Sequence, residues 1–168
     1  MEDACYILKE YIKFHNSNIQ KYGENTIILM QVGGFYEIYS VINENINIGP
    51  DIHKLADILG IQVSRRNKNI SDISYDNYLM AGFPEHALQK FQKILLNNNF
   101  TIVLVNQITE APNIEREITD IISPGTCIDN YNNSDTNNLV SVYINNYPQK
   151  NNKYIYVIGI SIIDVSTG

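Results

Sequence analysis

The chain has 168 residues, of which 44% are apolar and 18% are charged. A chain of this length fits one domain, or one domain with the start of another, and can bury a core of its own. Its formal net charge of −6 excludes a protein that grips nucleic acid by bulk positive charge alone, whereas a binder with a small, specific contact stays open.

Cysteine usage and hydropathy restrict the cellular setting. The two cysteines, Cys5 and Cys127, form no Cys-x-x-Cys pair, which predicts free thiols in a reducing compartment. No apolar run approaches the roughly 20 residues of a membrane span, and no secretory segment is visible. We therefore expect an intracellular protein without a membrane partner. Asn and Ile, whose codons are A/T-rich, dominate the composition and indicate an A/T-rich genome, such as that of a large DNA virus or a parasite.

Hydrophobic periodicity and turn residues predict alternating helices and strands in residues 1–125. Three helices are predicted, each with one apolar face. The first is the segment around residues 4–12, and the second lies between an N-capping Asp51 and a closing Gly60. The third begins at Pro84 and ends at the three asparagines 97–99. The predicted strands, rich in β-branched and apolar residues, are 26–32, 35–40, 61–64, 79–83, 100–107 and 118–122. This alternation predicts a mixed or mostly parallel β-sheet flanked by helices, an α/β fold.

The remainder of the chain differs in composition. Residues 126–138 are polar and rich in Asn, Asp and Ser, so we place a linker there. Two strands follow, at 139–145 and 154–165, with a polar loop between them. We interpret residues 139–168 as the truncated start of a second domain.

No enzymatic motif accompanies these elements. The chain has neither a P-loop nor a GxGxxG phosphate cradle. Its histidines, His15, His53 and His86, lack metal-ligand spacing, and no Ser/His/Asp or Cys/His arrangement follows from spacing. The sequence therefore predicts a chain that is not itself an enzyme and holds no metal or cofactor.

The segment 33–39, Gly-Gly-Phe-Tyr-Glu-Ile-Tyr, is unusual. Gly33 and Gly34 allow a tight turn and a close approach to another surface. Alternation along a strand places Phe35 and Glu37 on one face and Tyr36 on the other. An exposed Phe beside an exposed carboxylate suits a wedge that stacks on a base and an acceptor that hydrogen-bonds it. The alternative is a β-bulge at a sheet corner with Phe35 in the core.

Six segments resemble, in order and spacing, motifs of the MutS mismatch-repair family. The segments and the family patterns to which they are similar are 33–39 (G-[DE]-F-Y-E-[LIF]-[FY]), 59–68 (L-G-[IL]-x-[LV]-[ST]-x-R), 80–87 (M-A-G-[IVF]-P-x-H-[AS]), 106–110 (E-Q-[IVLT]-x-[DE]), 116–126 (R-x-[IV]-x-R-[IV]-[IV]-[ST]-P-G-T) and 164–168 (D-[LIV]-S-[TS]-G). Asn106 departs from the family's Glu, and Gly34 stands where the family usually has an acidic residue, which makes the turn more flexible.

The resemblance implies a specific task. The family's N-terminal domain reads mismatched duplex DNA, with a Phe matching Phe35 wedged beside the mispaired base and a Glu matching Glu37 hydrogen-bonded to it. Gly33, Gly34 and Tyr36 would form the supporting loop. The second domain would be the start of a ribonuclease-H-like connector. ATP and Mg²⁺ would bind an ATPase domain outside this chain, and a second MutS-like subunit would dimerise with the parent protein around DNA.

A dense positive cluster, Arg65, Arg66 and Lys68, supplies candidates for phosphate contacts, with an ordinary solvated loop as the alternative. A rival function comes from a different class of protein. The domain could be a structural or protein-interaction module of a MutS homologue, with Phe35 buried and DNA held by other domains. Solvent exposure of the Phe35 side chain separates the two hypotheses.

Overall fold

The computed structural model of the chain describes residues 2–126, 138–151 and 153–164. They fall into two compact units, Met1–Ser123 and Pro124–Gly168. The helices of the first unit are α1 Glu2–Tyr22, α2 Ile52–Leu59 and α3 Leu88–Asn97. Its strands are β1 Thr26–Val32, β2 Phe35–Ile42, β3 Asn47–Ile48, β4 Ser64–Arg65, β5 Leu79–Pro84, β6 Thr101–Gln107 and β7 Arg116–Ile122.

These strands form one sheet of seven, in the order β4-β5-β2-β1-β6-β7, with β3 paired to β2. The prediction of a mixed α/β sheet is confirmed. Among the described strands only β1 and β6 run parallel, so the sheet is mostly antiparallel rather than mostly parallel. The two-residue turn between β1 and β2 permits only an antiparallel pair, whereas the parallel pair of β1 and β6 needs the long crossover that lies between them.

Helices cover both faces of the sheet. On one face the α1 residue Tyr11 donates a hydrogen bond from its hydroxyl to the Ile28 carbonyl and packs edge-on against the Tyr39 ring. On the other face Phe91 of α3 stacks on Phe83 with ring centroids 4.2 Å apart. Because Tyr39 and Phe83 project from opposite faces of neighbouring strands, the central strands are buried between two helical layers.

Local chemistry sets the ends of α2 as predicted. The Asp51 carboxylate accepts a hydrogen bond from the Lys54 amide at 3.1 Å, and Gly60 ends the helix in the left-handed conformation. The strand predicted at 61–64 is wrong, because the Ile61 amide donates to the Ala56 carbonyl at the helix end. Pairing with β5 begins only at Ser64.

The predicted start of the third helix at Pro84 is also wrong. Pro84 has an extended backbone, ends β5 and lies opposite Phe35. A short 3-10 turn, Glu85–Ala87, then leads into α3 at Leu88. Tertiary pairing with β2 therefore overrides the preference of proline for the first helical position.

The second unit contains one antiparallel hairpin of β8 Asn138–Gln149 and β9 Lys153–Asp164. The two strands predicted here are confirmed; β8 is longer than the predicted 139–145, β9 begins one residue before the predicted 154, and residue 165 lies outside the described range. Most of the predicted linker, residues 127–137, and most of the motif at 164–168 also lie outside it. Assignment of the hairpin to a connector domain stays a prediction. No helix in the described ranges is long and apolar enough to cross a membrane.

Candidate functional site

The hairpin of β1 and β2 ends in a turn of Gly33 and Gly34, here called the tip turn. Val32 pairs with Phe35, so only these two glycines connect the strands. Gly33 has φ +58°, whereas the φ of Gly34 lies outside the left-handed range. Positive φ at the first central residue alone is the pattern of a type II′ hairpin turn, which takes glycine at that position.

Two hydrogen bonds hold the tip turn. The Gly33 amide donates to Oε1 of Gln107 at 2.9 Å, and the Gly34 carbonyl accepts from the Glu85 amide at 2.9 Å. The Gln107 amide in turn donates to Oε1 of Gln31 at 3.0 Å. These bonds tie the turn to β6 and to the end of β5. They offset the flexibility expected from Gly34.

Phe35 lies beside the tip turn as the first residue of β2, and 48% of it is exposed. It pairs with Val32 on one side and with Pro84 on the other, without a register shift in either strand pair. The alternative of a bulge with Phe35 in the core is therefore wrong. An aromatic ring stands at the end of a hairpin whose backbone is paired on both sides.

Tyr36 points to the opposite face, as predicted, and anchors the hairpin there. It is 3% exposed, lies against the Phe83 ring, and donates from its hydroxyl to Oδ1 of Asn106 at 2.8 Å. Burial, followed by the nearby negative charge of Glu85, raises the pKa of Tyr36, so its hydroxyl remains a donor. Nδ2 of Asn106 in turn donates a hydrogen bond to Oγ1 of Thr119 on β7 at 2.8 Å.

Glu37 is half-buried, whereas the sequence predicted an exposed carboxylate. Its Oε2 accepts a hydrogen bond from the hydroxyl of Tyr39, which lies two residues further along the same face. Gly82 lies opposite Glu37 on β5. A Cβ at Gly82 would come within 2.7 Å of the Tyr36 carbonyl oxygen and 3.1 Å of the Glu37 Cγ. The missing side chain therefore leaves the space that the Glu37 side chain occupies.

The surroundings of Phe35 are acidic. Glu37 lies on the same strand face as Phe35, the Glu85 amide donates to the tip turn, and a cation close to this end of β1 is already paired. That cation, Arg116, is 5% exposed, forms an ion pair with Glu10 at 2.9 Å and donates to the Gln31 carbonyl at 2.9 Å. Phosphate attraction at the tip is accordingly weak.

The basic cluster of Arg65, Arg66 and Lys68 lies elsewhere on the sheet. Arg65 pairs with Leu79, which itself pairs with Ser40 at the far part of β2. The cluster is thus two strands from β2 and about 17 Å further along the strand direction than Phe35. The structure does not bring the cluster against the tip.

The loop that carries this cluster is ordered by Asn77, which is 3% exposed. The Asn77 side chain donates to two loop carbonyls and accepts from the Asn67 amide at 2.8 Å. Arg65 is half-buried and donates to the Lys68 carbonyl, whereas Arg66 and Lys68 are exposed. Of the predicted phosphate contacts, Arg66 and Lys68 are therefore the more accessible.

Three residues of this site were missed from sequence. Tyr39 and Gln107 act through bonds to distant atoms, which no local pattern indicates. Gly82 could have been identified from the sequence, because an isolated glycine in a strand indicates a close approach of another backbone.

Within residues 2–126, 138–151 and 153–164, no three His, Cys, Asp or Glu side chains are placed to hold a metal ion.

Comparison with known proteins identifies the relatives of this chain. The family model described as MutS domain I matches residues 10–131. A mutS homolog of Acanthamoeba polyphaga mimivirus is 34% identical over 150 residues, or 88% of this chain and 13% of that protein. DNA mismatch repair protein MutS of Petrotoga mobilis is 28% identical over 172 residues, 100% of this chain and 17% of that protein. The corresponding protein of Streptococcus thermophilus is 29% identical over 156 residues, 90% of this chain and 16% of that protein.

The chain therefore spans between 13% and 17% of the length of these relatives. The matched range contains the tip turn, Phe35, Glu37 and the basic cluster, and it stops before the β8–β9 hairpin. The family that the six motifs predicted is confirmed. The chain belongs to the MutS domain I family.

Proposed function

We propose that this chain is the mismatch-recognition domain of a longer MutS-like protein that acts in DNA mismatch repair. Phe35 wedges beside a mispaired or looped base, and Glu37 hydrogen-bonds that base. The chain itself is a DNA-binding module and not an enzyme. ATP and Mg²⁺ belong to an ATPase domain elsewhere in the longer protein, which is intracellular and pairs with a second MutS-like subunit around DNA.

The exposure of Phe35 carries this proposal. Phe35 is 48% exposed at the end of a paired hairpin, where its ring is free to enter a groove of a duplex. Phe, Leu, Ile and Met side chains are the wedges that minor-groove proteins insert between base steps. The rival hypothesis, a structural or protein-interaction domain, has Phe35 packed in the core, and the exposed ring favours the wedge.

Selection of mismatches follows from the energy of bending DNA. Bending a matched site by 40–90° costs on the order of 1–6 kcal/mol, whereas a mispair stacks and pairs poorly and bends at lower cost. An inserted ring offsets part of the lost stacking, by about 1–3 kcal/mol per base contact. Phe35 therefore selects deformable positions without reading a base sequence.

Glu37 adds discrimination rather than affinity. A carboxylate beside phosphates is repelled unless it finds a hydrogen-bond donor, and a matched pair keeps the donors of its Watson–Crick edges engaged in pairing. A mispaired or looped base offers a free donor. Glu37 thus penalises matched duplexes more than mismatched ones.

Affinity comes mainly from other contacts. The tip is acidic and the chain has a net charge of −6, so bulk attraction to DNA is absent here. We assign phosphate contacts to Arg66 and Lys68, with Arg65 supporting them. The separation of about 17 Å from Phe35 along the strand direction corresponds to about five base pairs of duplex.

Equilibrium binding by the full-length protein tests the proposal. Dissociation constants are measured for a homoduplex and for the same duplex carrying a G·T mispair or a single-base loop. For Phe35→Ala we expect the preference for the mismatch to fall about tenfold, with homoduplex binding largely retained, because one stacking contact is lost. For Glu37→Ala we expect a smaller fall in preference, together with equal or tighter homoduplex binding.

Lys68→Gln is the matched control. A phosphate contact serves both duplexes alike, so both affinities fall and the preference is unchanged. The slope of log affinity against log salt is expected to decrease in magnitude by about 0.9. An undiminished mismatch preference in Phe35→Ala would refute the assignment of the wedge.

A further inference from the structure

The hydroxyl of Tyr39 meets the Glu37 carboxylate on the α1 face of the sheet. Tyr39 is 2% exposed and donates to Oε2 of Glu37. In the described part of the chain no other group donates to this carboxylate. One oxygen of Glu37 is therefore engaged from within the protein, and Oε1 is left as an acceptor.

The Tyr39 ring is itself fixed on two sides. It makes edge-to-face contacts with Tyr11 of α1 and with Tyr78, which precedes β5, each with ring centroids 5.3 Å apart. Burial, together with the charge of Glu37, raises the pKa of Tyr39. The hydroxyl therefore stays protonated and acts as a permanent donor in a fixed place.

The Glu37 side chain has little freedom between these neighbours. Its Cγ lies against the backbone of β5 at Gly82, where any Cβ would come within 3.1 Å. A free glutamate has several rotamers, and freezing them on binding would cost part of the energy of a base contact. A carboxylate already held at one oxygen avoids that cost.

We propose that Tyr39 is a positioning residue for mismatch readout, holding Oε2 of Glu37 so that Oε1 faces the mispaired base. This inference rests on the proposed function, because it gives Tyr39 a role only through Glu37. Tyr39 does not touch DNA. It makes the carboxylate a rigid acceptor, which discriminates between free and paired base donors more sharply than a mobile one.

A double-mutant cycle on the full-length protein tests the proposal. Mismatch preference, the ratio of homoduplex to G·T dissociation constants, is measured for the wild type, Tyr39→Phe, Glu37→Ala and the double variant. Phe keeps the ring contacts and removes only the hydroxyl. We expect Tyr39→Phe to lower the preference about fivefold when Glu37 is present and to leave it unchanged when residue 37 is Ala.

Tyr11→Phe is the matched control. It also removes a buried hydroxyl, one that donates to the Ile28 carbonyl at 3.2 Å instead of to a carboxylate. Any effect of this variant on preference is expected to be the same with Glu37 or Ala at position 37. The control therefore separates a general loss of stability from an action through Glu37.

Two results would overturn the role of Tyr39 while the readout by Glu37 stands. One is a preference unchanged by Tyr39→Phe while Glu37→Ala lowers it, which leaves the proposed function intact. The other is an equal loss in both backgrounds, which would place the effect in the fold. If Glu37→Ala itself leaves the preference unchanged, the readout by Glu37 fails and the role of Tyr39 fails with it.

Discussion

The two hairpins of this chain differ in what surrounds their exposed side chains. In the β1–β2 hairpin Tyr36 and residues 38–41 are buried, so the exposure of Phe35 is an exception within a packed element. In the β8–β9 hairpin nearly every described side chain is exposed, including large apolar ones such as Tyr143 and Ile160. Exposure there distinguishes no residue from its neighbours.

The difference shows when an exposed aromatic indicates function. Single apolar side chains at a surface are common and need no explanation. Phe35 is different because the backbone that presents it is paired on both sides and its turn is hydrogen-bonded at both glycines. The backbone that presents the Phe35 ring is already ordered before binding. Insertion of the ring therefore costs little further conformational entropy.

The largest difference that we expect between the two hairpins is in how much an Ile→Ala substitution lowers the free energy of unfolding. Ile38 of β2 is fully buried, and Ile38→Ala is expected to lower the free energy of unfolding by about 2–5 kcal/mol. Ile160 of β9 is 64% exposed, and Ile160→Ala is expected to cost less than about 1 kcal/mol. Urea unfolding followed by circular dichroism measures both. Similar losses in the free energy of unfolding for the two variants would show that the two hairpins do not differ in packing.

A smaller effect is expected at the tip turn. Gly33 has φ +58°, so Gly33→Ala is expected to cost about 1–2 kcal/mol in the free energy of unfolding. A Cβ at Gly34 meets no atom within 4 Å, so Gly34→Ala is expected to be neutral or to stabilise by up to about 1 kcal/mol. The same urea experiment compares the two variants. An equal cost at both glycines would contradict the turn geometry.

Much of the fold was predictable because local chemistry determines it. The bounds of β1 match the predicted strand 26–32, since a β-branched run ends at two glycines. The cap at Asp51 and the end at Gly60 likewise depend on neighbours within one turn. The pair of Phe35 and Glu37 on one face follows from strand alternation alone.

The features that the sequence did not predict depend on contacts between residues that are distant in the sequence. Pro84 stays extended because β2 pairs with it, which no local preference of proline indicates. The hydrogen bond from the Tyr39 hydroxyl to Glu37 could not be predicted from the sequence, because the direction of the hydroxyl depends on the packing of Tyr11 and Tyr78 around the Tyr39 ring. A strand of two residues, β3, is too short for periodicity to mark it. The sequence thus indicated the candidate site, whereas the contacts around its side chains depend on packing.

Photocrosslinking from position 35 shows directly whether this side chain lies against a mispaired base. A photoreactive p-benzoylphenylalanine replaces Phe35 in the full-length protein, which is irradiated on a duplex with one G·T mispair and on the matched homoduplex. The wedge predicts crosslinks confined to the mispaired base and its immediate neighbours, and none at a preferred position in the homoduplex. Crosslinks spread evenly along the mismatched duplex, or absent from it while binding persists, would contradict the account.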